Sequence, residues 1–224
     1  MCLCSHFFVY LISKFLEGPA IRRVRSPIKF ALMAYTGQII THPGMGVTMK
    51  FIKTHQETNG VGWEVEYTLA PGKGSKFPTH THLHSDEWFQ VIAGRGRYWL
   101  NGKVYKCAPG DEIYFPAGKP HIHPWNATYD PLVMRNILLL NDPSIDAHNE
   151  VKKMEDYVEH WFHLACRGHV RKNGNPYILQ SAVFMRAIGK QIRVAKIPAV
   201  LHKTLITPLA FTGRLLGYKG TYYE

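Results

Sequence analysis

Between about Gly46 and Leu140 the chain is a series of short runs with β character, each closed by a turn signal. Val47–Lys53, Trp63–Leu69, Trp88–Ile92, Arg97–Leu100, Lys103–Cys107, Glu112–Phe115 and Leu132–Leu140 are separated by turns such as Asn101-Gly102 and Pro109-Gly110-Asp111. Asn-Gly between two such runs is a strong hairpin signal. Within Trp63–Leu69 the alternation is clean: Trp63, Val65, Tyr67 and Leu69 share one face, and Glu64, Glu66 and Thr68 the other. Many short strands at regular spacing describe a sandwich or a barrel.

The pattern changes after Asn141. Asp142-Pro143-Ser144 opens a segment with apolar residues at helical spacing (Val151, Met154, Val158, Trp161, Phe162, Ala165) that runs to about Cys166. A second helix is expected over Ile178–Ile192, and a third after Pro198. A chain of 224 residues has room for one domain with appendages. The reading is therefore mainly β, with an N-terminal extension at 1–45, a barrel at 46–140 and a helical C-terminal extension at 141–224.

Two stretches carry chemistry. One runs from Gly74 through His80-Thr-His82 and Glu87 to Gly94, and the other from Gly110 through Pro116-Ala-Gly118 to His121. A strand sends alternate side chains to one face, so His80 and His82 project together. Glu87 can enter from the next strand, and the Pro-x-Gly turn can aim His121 at the same point. Three imidazoles and a carboxylate suit one divalent transition ion, whether iron, manganese, nickel, copper or zinc, and leave open positions on a six-coordinate ion. His84 shares the parity of His82, and Asp86 could replace Glu87 if the turn were shorter. His123 reads as a residue at the pocket rim or behind the ligands. Phe89 and Val91 share the parity of Glu87, so the cavity should be apolar and aromatic, with Tyr67 as a polar handle.

These residues resemble the cupin superfamily. The first stretch matches G(X)5HXH(X)4E(X)6G, the second matches G(X)5PXG(X)2H, and Arg95–Pro109 has the short length of microbial inter-motif segments. The resemblance spans about residues 46–140 and implies a jelly-roll-like barrel with His80, His82, Glu87 and His121 as metal ligands. One departure is visible. The family's terminal asparagine stands four residues after the histidine, whereas Asn126 stands five after His121, which implies a one-residue insertion around His123-Pro124. The tail Gly213-Arg-Leu-Leu-Gly-Tyr218 also looks like the tails of some single-barrel cupins. Because dioxygenases are common among such relatives, the first functional expectation is a metal-dependent oxygenase acting on an apolar or aromatic small molecule. A non-redox isomerase, cyclase or lyase and a non-catalytic binding protein are the alternatives.

Charge bears on partners. The net charge of +11 lies mostly in the flanks: residues 1–40 carry five Lys or Arg against Glu17, and ten follow His160 with Glu224 as the sole acid. Such flanks can attract anionic membranes peripherally. No aromatic RNA-binding motif accompanies them, so nucleic acid is not expected. Open barrel edges suggest a homodimer. The four cysteines form no CxxC pair, which fits a reducing, cytoplasmic setting, and the Arg-rich, acid-poor start resembles an organelle-targeting segment.

Overall fold

The structure, a computed structural model, describes residues 34–72, 77–141, 146–189, 191–194 and 199–221. The expected targeting segment, Gly74 and the Asp142-Pro143-Ser144 helix start lie outside them. Among the described residues, eleven strands form two antiparallel sheets. They are β1 (Ile39–His42), β2 (Val47–Lys53), β3 (Gly62–Leu69), β4 (His80–His82), β5 (Ser85–Ala93), β6 (Gly96–Leu100), β7 (Lys103–Cys107), β8 (Glu112–Phe115), β9 (His121–Asn126), β10 (Leu132–Leu140) and β11 (Ile192–Val194). The larger sheet runs β1-β2-β3-β10-β5-β8, and the smaller runs β11-β4-β9-β6-β7.

The alternation in the sequence becomes the interior of this barrel. Val65, Tyr67, Leu69, Phe89, Val91, Phe115, Leu132, Met134 and Leu138 are all buried and belong to one apolar cluster. The inner face of β4 and β9 departs from this pattern, because histidines stand there instead of aliphatic residues.

Two strands lie outside the span expected for the barrel. β1 pairs with β2 from inside the segment assigned to the N-terminal extension. β11 pairs with β4 from inside the segment assigned to the helical C-terminal extension, overlapping the expected second helix at Ile192. The helix α2 (Ile178–Ile188) ends at Gly189, whose φ of 73° and ψ of −121° suit glycine, and β11 then joins the smaller sheet as its edge strand. The tail thus covers the edge of β4 that its own barrel would otherwise expose.

The helix α1 (Ala147–Cys166) follows N-cap Asp146, whose side chain accepts from Asn149 N. Its apolar stripe, Val151, Met154, Val158, Trp161 and Phe162, is buried in the same cluster as the strands. The helix α3 (Ala199–Leu215) packs Ala210 against Ala182 and Val183 of α2. Among the described residues, no helix is long and apolar enough to cross a membrane.

Candidate metal centre

β4 and β9 meet at the pair His80–His121, and β5 brings Glu87 opposite Phe115 of β8. The turn from β8 to β9 is pinned on both sides. Gly118 N donates to His82 O at 2.7 Å, and Ala117 N donates to Asp86 Oδ1 at 2.8 Å. Asp86 therefore holds the turn that aims His121, and it is not among the converging donors. Neither is His84. The structure brings His80, His82, Glu87 and His121 together, as the spacing predicts, and adds His123: one donor atom from each of the five lies within 4.8 Å of all the others.

His123 shares the inward parity of His121, and that was the signal for it. Its Nε2 stands 2.9 Å from Glu87 Oε2 and 3.0 Å from His80 Nε2, inside the cluster rather than at the rim. Just beyond it the pairing of β6 with β9 shifts register, so that His123-Pro124 faces Tyr98 alone. This bulge absorbs the inserted residue. Asn126 then donates from Nδ2 to Leu69 O, Ala70 O and Asp130 O, tying the end of β9 to β3.

The hydrogen bonds around the cluster set its chemistry. His80 Nδ1 faces Pro78 O at 2.7 Å, and His121 Nδ1 faces Lys119 O at 2.9 Å. A carbonyl only accepts, so each Nδ1 carries the proton and each Nε2 presents a lone pair inward. Glu87 is oriented by Asn136, whose Nδ2 donates to Glu87 Oε1 at 2.9 Å while its Oδ1 accepts from Trp63 Nε1 at 3.0 Å. Asn136 was not anticipated. Its mark in the sequence is that it interrupts the inward apolar series Leu132, Met134, Leu138.

The charge states follow from burial. Desolvation, with the neighbouring rings, holds His80 well below its ordinary range and brings His82 down to about 4. Burial opposes the Glu87 charge, but electrostatic attraction from the facing His123 and His82 outweighs it, and the carboxyl stays well below its ordinary range. A neutral His80 and His82 beside an ionised Glu87 are in the state in which metal ligands bind.

A cation fits this arrangement. Glu87 Oε2, His82 Nε2 and His121 Nε2 are buried without a hydrogen-bond partner, a costly state unless an ion satisfies them. On an ion with bonds of about 2.1 Å, neighbouring donors stand about 3 Å apart and opposite ones about 4.2 Å. Glu87 Oε2 lies 2.9, 3.3 and 3.6 Å from the Nε2 atoms of His123, His121 and His82. The cluster is compatible with one metal ion.

Above it lies a cavity of about 310 Å³. Trp63, Tyr67 and Phe77 line it, together with Met154, Tyr157 and Trp161 of α1 and Phe184 of α2. Burial pushes the Tyr67 and Tyr157 hydroxyls far above their ordinary range, so both stay protonated and can donate.

Residues 65–139 match the family described as Cupin domain. A quercetin 2,3-dioxygenase of Bacillus subtilis is 40% identical over 53 residues, 24% of this chain and 16% of that protein. An uncharacterized protein of Methanocaldococcus jannaschii is 38% identical over 48 residues, 21% of this chain and 38% of that one. The chain thus spans well under half the length of the curated relatives it matches. Among solved structures, a predicted oxalate decarboxylase from Thermotoga maritima aligns with TM-score 0.41 at 22% identity, covering 47% of this chain and 92% of that one. A cupin-superfamily sugar phosphate isomerase from Silicibacter pomeroyi aligns with TM-score 0.38 at 23% identity, covering 43% and 61%.

Proposed function

We propose, from the premise that the chain belongs to the cupin superfamily through residues 65–139, that it is a mononuclear metal enzyme acting on an apolar or aromatic small molecule, with an oxygenase as the first reading. The observation that carries this is the convergence of buried, unsatisfied donors at one end of an aromatic cavity. His80, His82, Glu87 and His121 would hold the ion, which when bound supplies Lewis acidity and, if redox-active, electron transfer.

The chain's own groups do the rest. Trp63, Phe77, Trp161 and Phe184 bind a flat apolar body and exclude water. The Tyr67 and Tyr157 hydroxyls stay protonated and can orient a substrate oxygen. Asn136 keeps Glu87 Oε1 engaged so that only Oε2 faces the cluster. A single protein carboxylate leaves a divalent centre net positive, which suits an enolate or phenolate oxygen.

His123 favours a second reading. With its Nε2 inside the cluster, five protein donors would leave one open position on a six-coordinate ion. That suits polarisation of a substrate oxygen by a non-redox isomerase, cyclase or lyase.

The test is metal analysis of the purified protein, followed by oxygen uptake with a flavonol such as quercetin, the substrate in the Bacillus relative's name. About one ion per chain and conversion of the flavonol that stops under argon support the oxygenase. Turnover that persists under argon or with zinc supports the second reading. Saturable binding without turnover leaves a binding protein, and absence of metal overturns the proposal.

The reading also includes a homodimer. The edge strand β7 carries Val104 and Tyr105 at 56% and 41% exposure, and light scattering at micromolar concentration decides between one chain and two.

A further inference from the structure

The cavity's charged lining is asymmetric. At its floor stands Glu87, facing the histidines. Among the described lining residues the other charged group is Arg171, in the turn between α1 and α2, with Asn175 of the same turn and Ser181 of α2 also on the lining. Among the described residues, no other acid and no lysine lines the space, and Arg171 forms no ion pair. Its side chain is exposed, so its charge is present without prior neutralisation.

The turn that carries Arg171 is rigidly held. Arg171 N donates to Asn175 O at 2.9 Å, and Gly174 N donates to Arg171 O at 2.8 Å. Gly174 O accepts two further bonds at 3.0 Å, from His42 Nε2 and from Trp161 Nε1. Gly174 takes φ 81°, and a Cβ there would come within 2.6 Å of Met45 Cγ and 2.8 Å of His42 Cε1, so the position requires glycine. Trp161 thus packs as cavity wall through its ring and fixes the Arg171 turn through its N–H.

We infer that the ligand is an aromatic or apolar molecule bearing one carboxylate, with its apolar body between Trp63 and Phe184 and its carboxylate at Arg171 in the cavity mouth. The inference rests on the function proposed above for the ligand's place in the cavity, and not for the anion site itself. A guanidinium offers a planar pair of donors that matches a carboxylate, and a fixed backbone lowers the cost of presenting it. A neutral amide of equal shape keeps the apolar contacts and loses this pairing.

The test uses the full chain, as purified and after metal removal, with 3-phenylpropanoate and 3-phenylpropanamide as matched probes in calorimetric titrations. The acid should bind the native protein about ten times more tightly than the amide. The preference should vanish in Arg171→Gln, survive in part in Arg171→Lys and reverse in Arg171→Glu. Circular dichroism checks that each variant keeps its fold. If neither probe binds, or both bind equally, the inference is overturned. If the preference survives Arg171→Gln but disappears on metal removal, the carboxylate goes to the ion, and this inference fails while the metal reading stands. If the protein holds no metal yet the preference depends on Arg171, the metal reading fails and the anion site stands.

Discussion

Asn136 donates to Glu87 Oε1 at 2.9 Å from the centre of β10, and both residues are fully buried. The same amide accepts from Trp63, so one side chain links a cavity wall to a candidate ligand. A carboxylate held this way can turn only one oxygen to the cluster.

Asn136→Leu keeps the branched shape and removes all three side-chain bonds, including the one to Trp88 O at 3.1 Å. It leaves Trp63 Nε1 and Glu87 Oε1 buried without partners, at about 1–3 kcal/mol each. Metal affinity in a chelator competition should fall about 10–100-fold, the usual effect of losing a ligand's orienting partner. Denaturant unfolding of the metal-free protein should show a loss on the order of 3 kcal/mol. Unchanged affinity would mean that packing alone sets the Glu87 rotamer.

The histidines should separate into two classes. His80→Ala, His82→Ala and His121→Ala should each leave the purified protein nearly free of metal by elemental analysis. His123→Ala should still reach about one ion per chain with metal in excess, at an affinity about 10–100-fold lower. Complete loss in His123→Ala together with retention in His80→Ala would reverse the assignment.

Glu159 of α1 supplies a pH signature away from the centre. Its Oε1 accepts from Gln38 Nε2 at 2.6 Å, and its Oε2 is buried without a partner. Desolvation, reinforced by Asp156, raises its carboxyl to about 7, and burial raises neighbouring Glu155 to about 8. A folded value above the unfolded one means that the native state keeps a proton the unfolded chain releases. The stability linked to Glu159 is therefore full below about pH 4.5 and lost as pH rises to about 7. Buried His42 and half-buried His163, held below their ordinary range by desolvation, act in the opposite direction and lose stability as pH falls below about 6.5. Comparing Glu159→Gln with the native protein cancels the histidines. The variant should gain up to about 3 kcal/mol relative to the native chain between about pH 5 and pH 8 in urea unfolding. A difference that stays flat with pH would show an ordinary, solvated carboxylate.

Local rules made the barrel legible. Strand alternation placed Trp63, Val65, Tyr67 and Leu69 inside, and fixed spacings placed His80, His82, Glu87 and His121 on converging strands. Pairings closed over long separations were less legible. β11 lies in the stretch read as helical extension, overlapping the expected second helix at Ile192, and becomes a strand because β4 offers a free edge after Gly189 ends the helix. β1, four residues long, has too little sequence to show a period. Asn136 and His123 were visible as residues on inward faces, but their roles depend on what stands across the barrel, which no local window contains.

The helix α3 carries the last prediction. It buries Ala210 against α2 yet leaves Leu205, Phe211 and Leu215 at 47%, 64% and 72% exposure. A surface helix ordinarily turns polar residues outward, and an apolar outer face marks a contact. The ten Lys and Arg after His160, against Glu224 alone, give the surrounding chain one sign of charge. Peripheral attachment to an anionic bilayer uses both features, apolar side chains in the acyl boundary and cations at the headgroups. Sedimentation with phosphatidylserine vesicles should pull down the protein at low ionic strength, and the bound fraction should fall as salt rises. Phe211→Asp combined with Leu215→Asp should reduce binding at least tenfold, since each large apolar side chain contributes about 1.5–3 kcal/mol when buried. The fold should survive this change, because both side chains point to solvent. Equal sedimentation with anionic and neutral vesicles would assign the outer face of α3 to a protein contact instead.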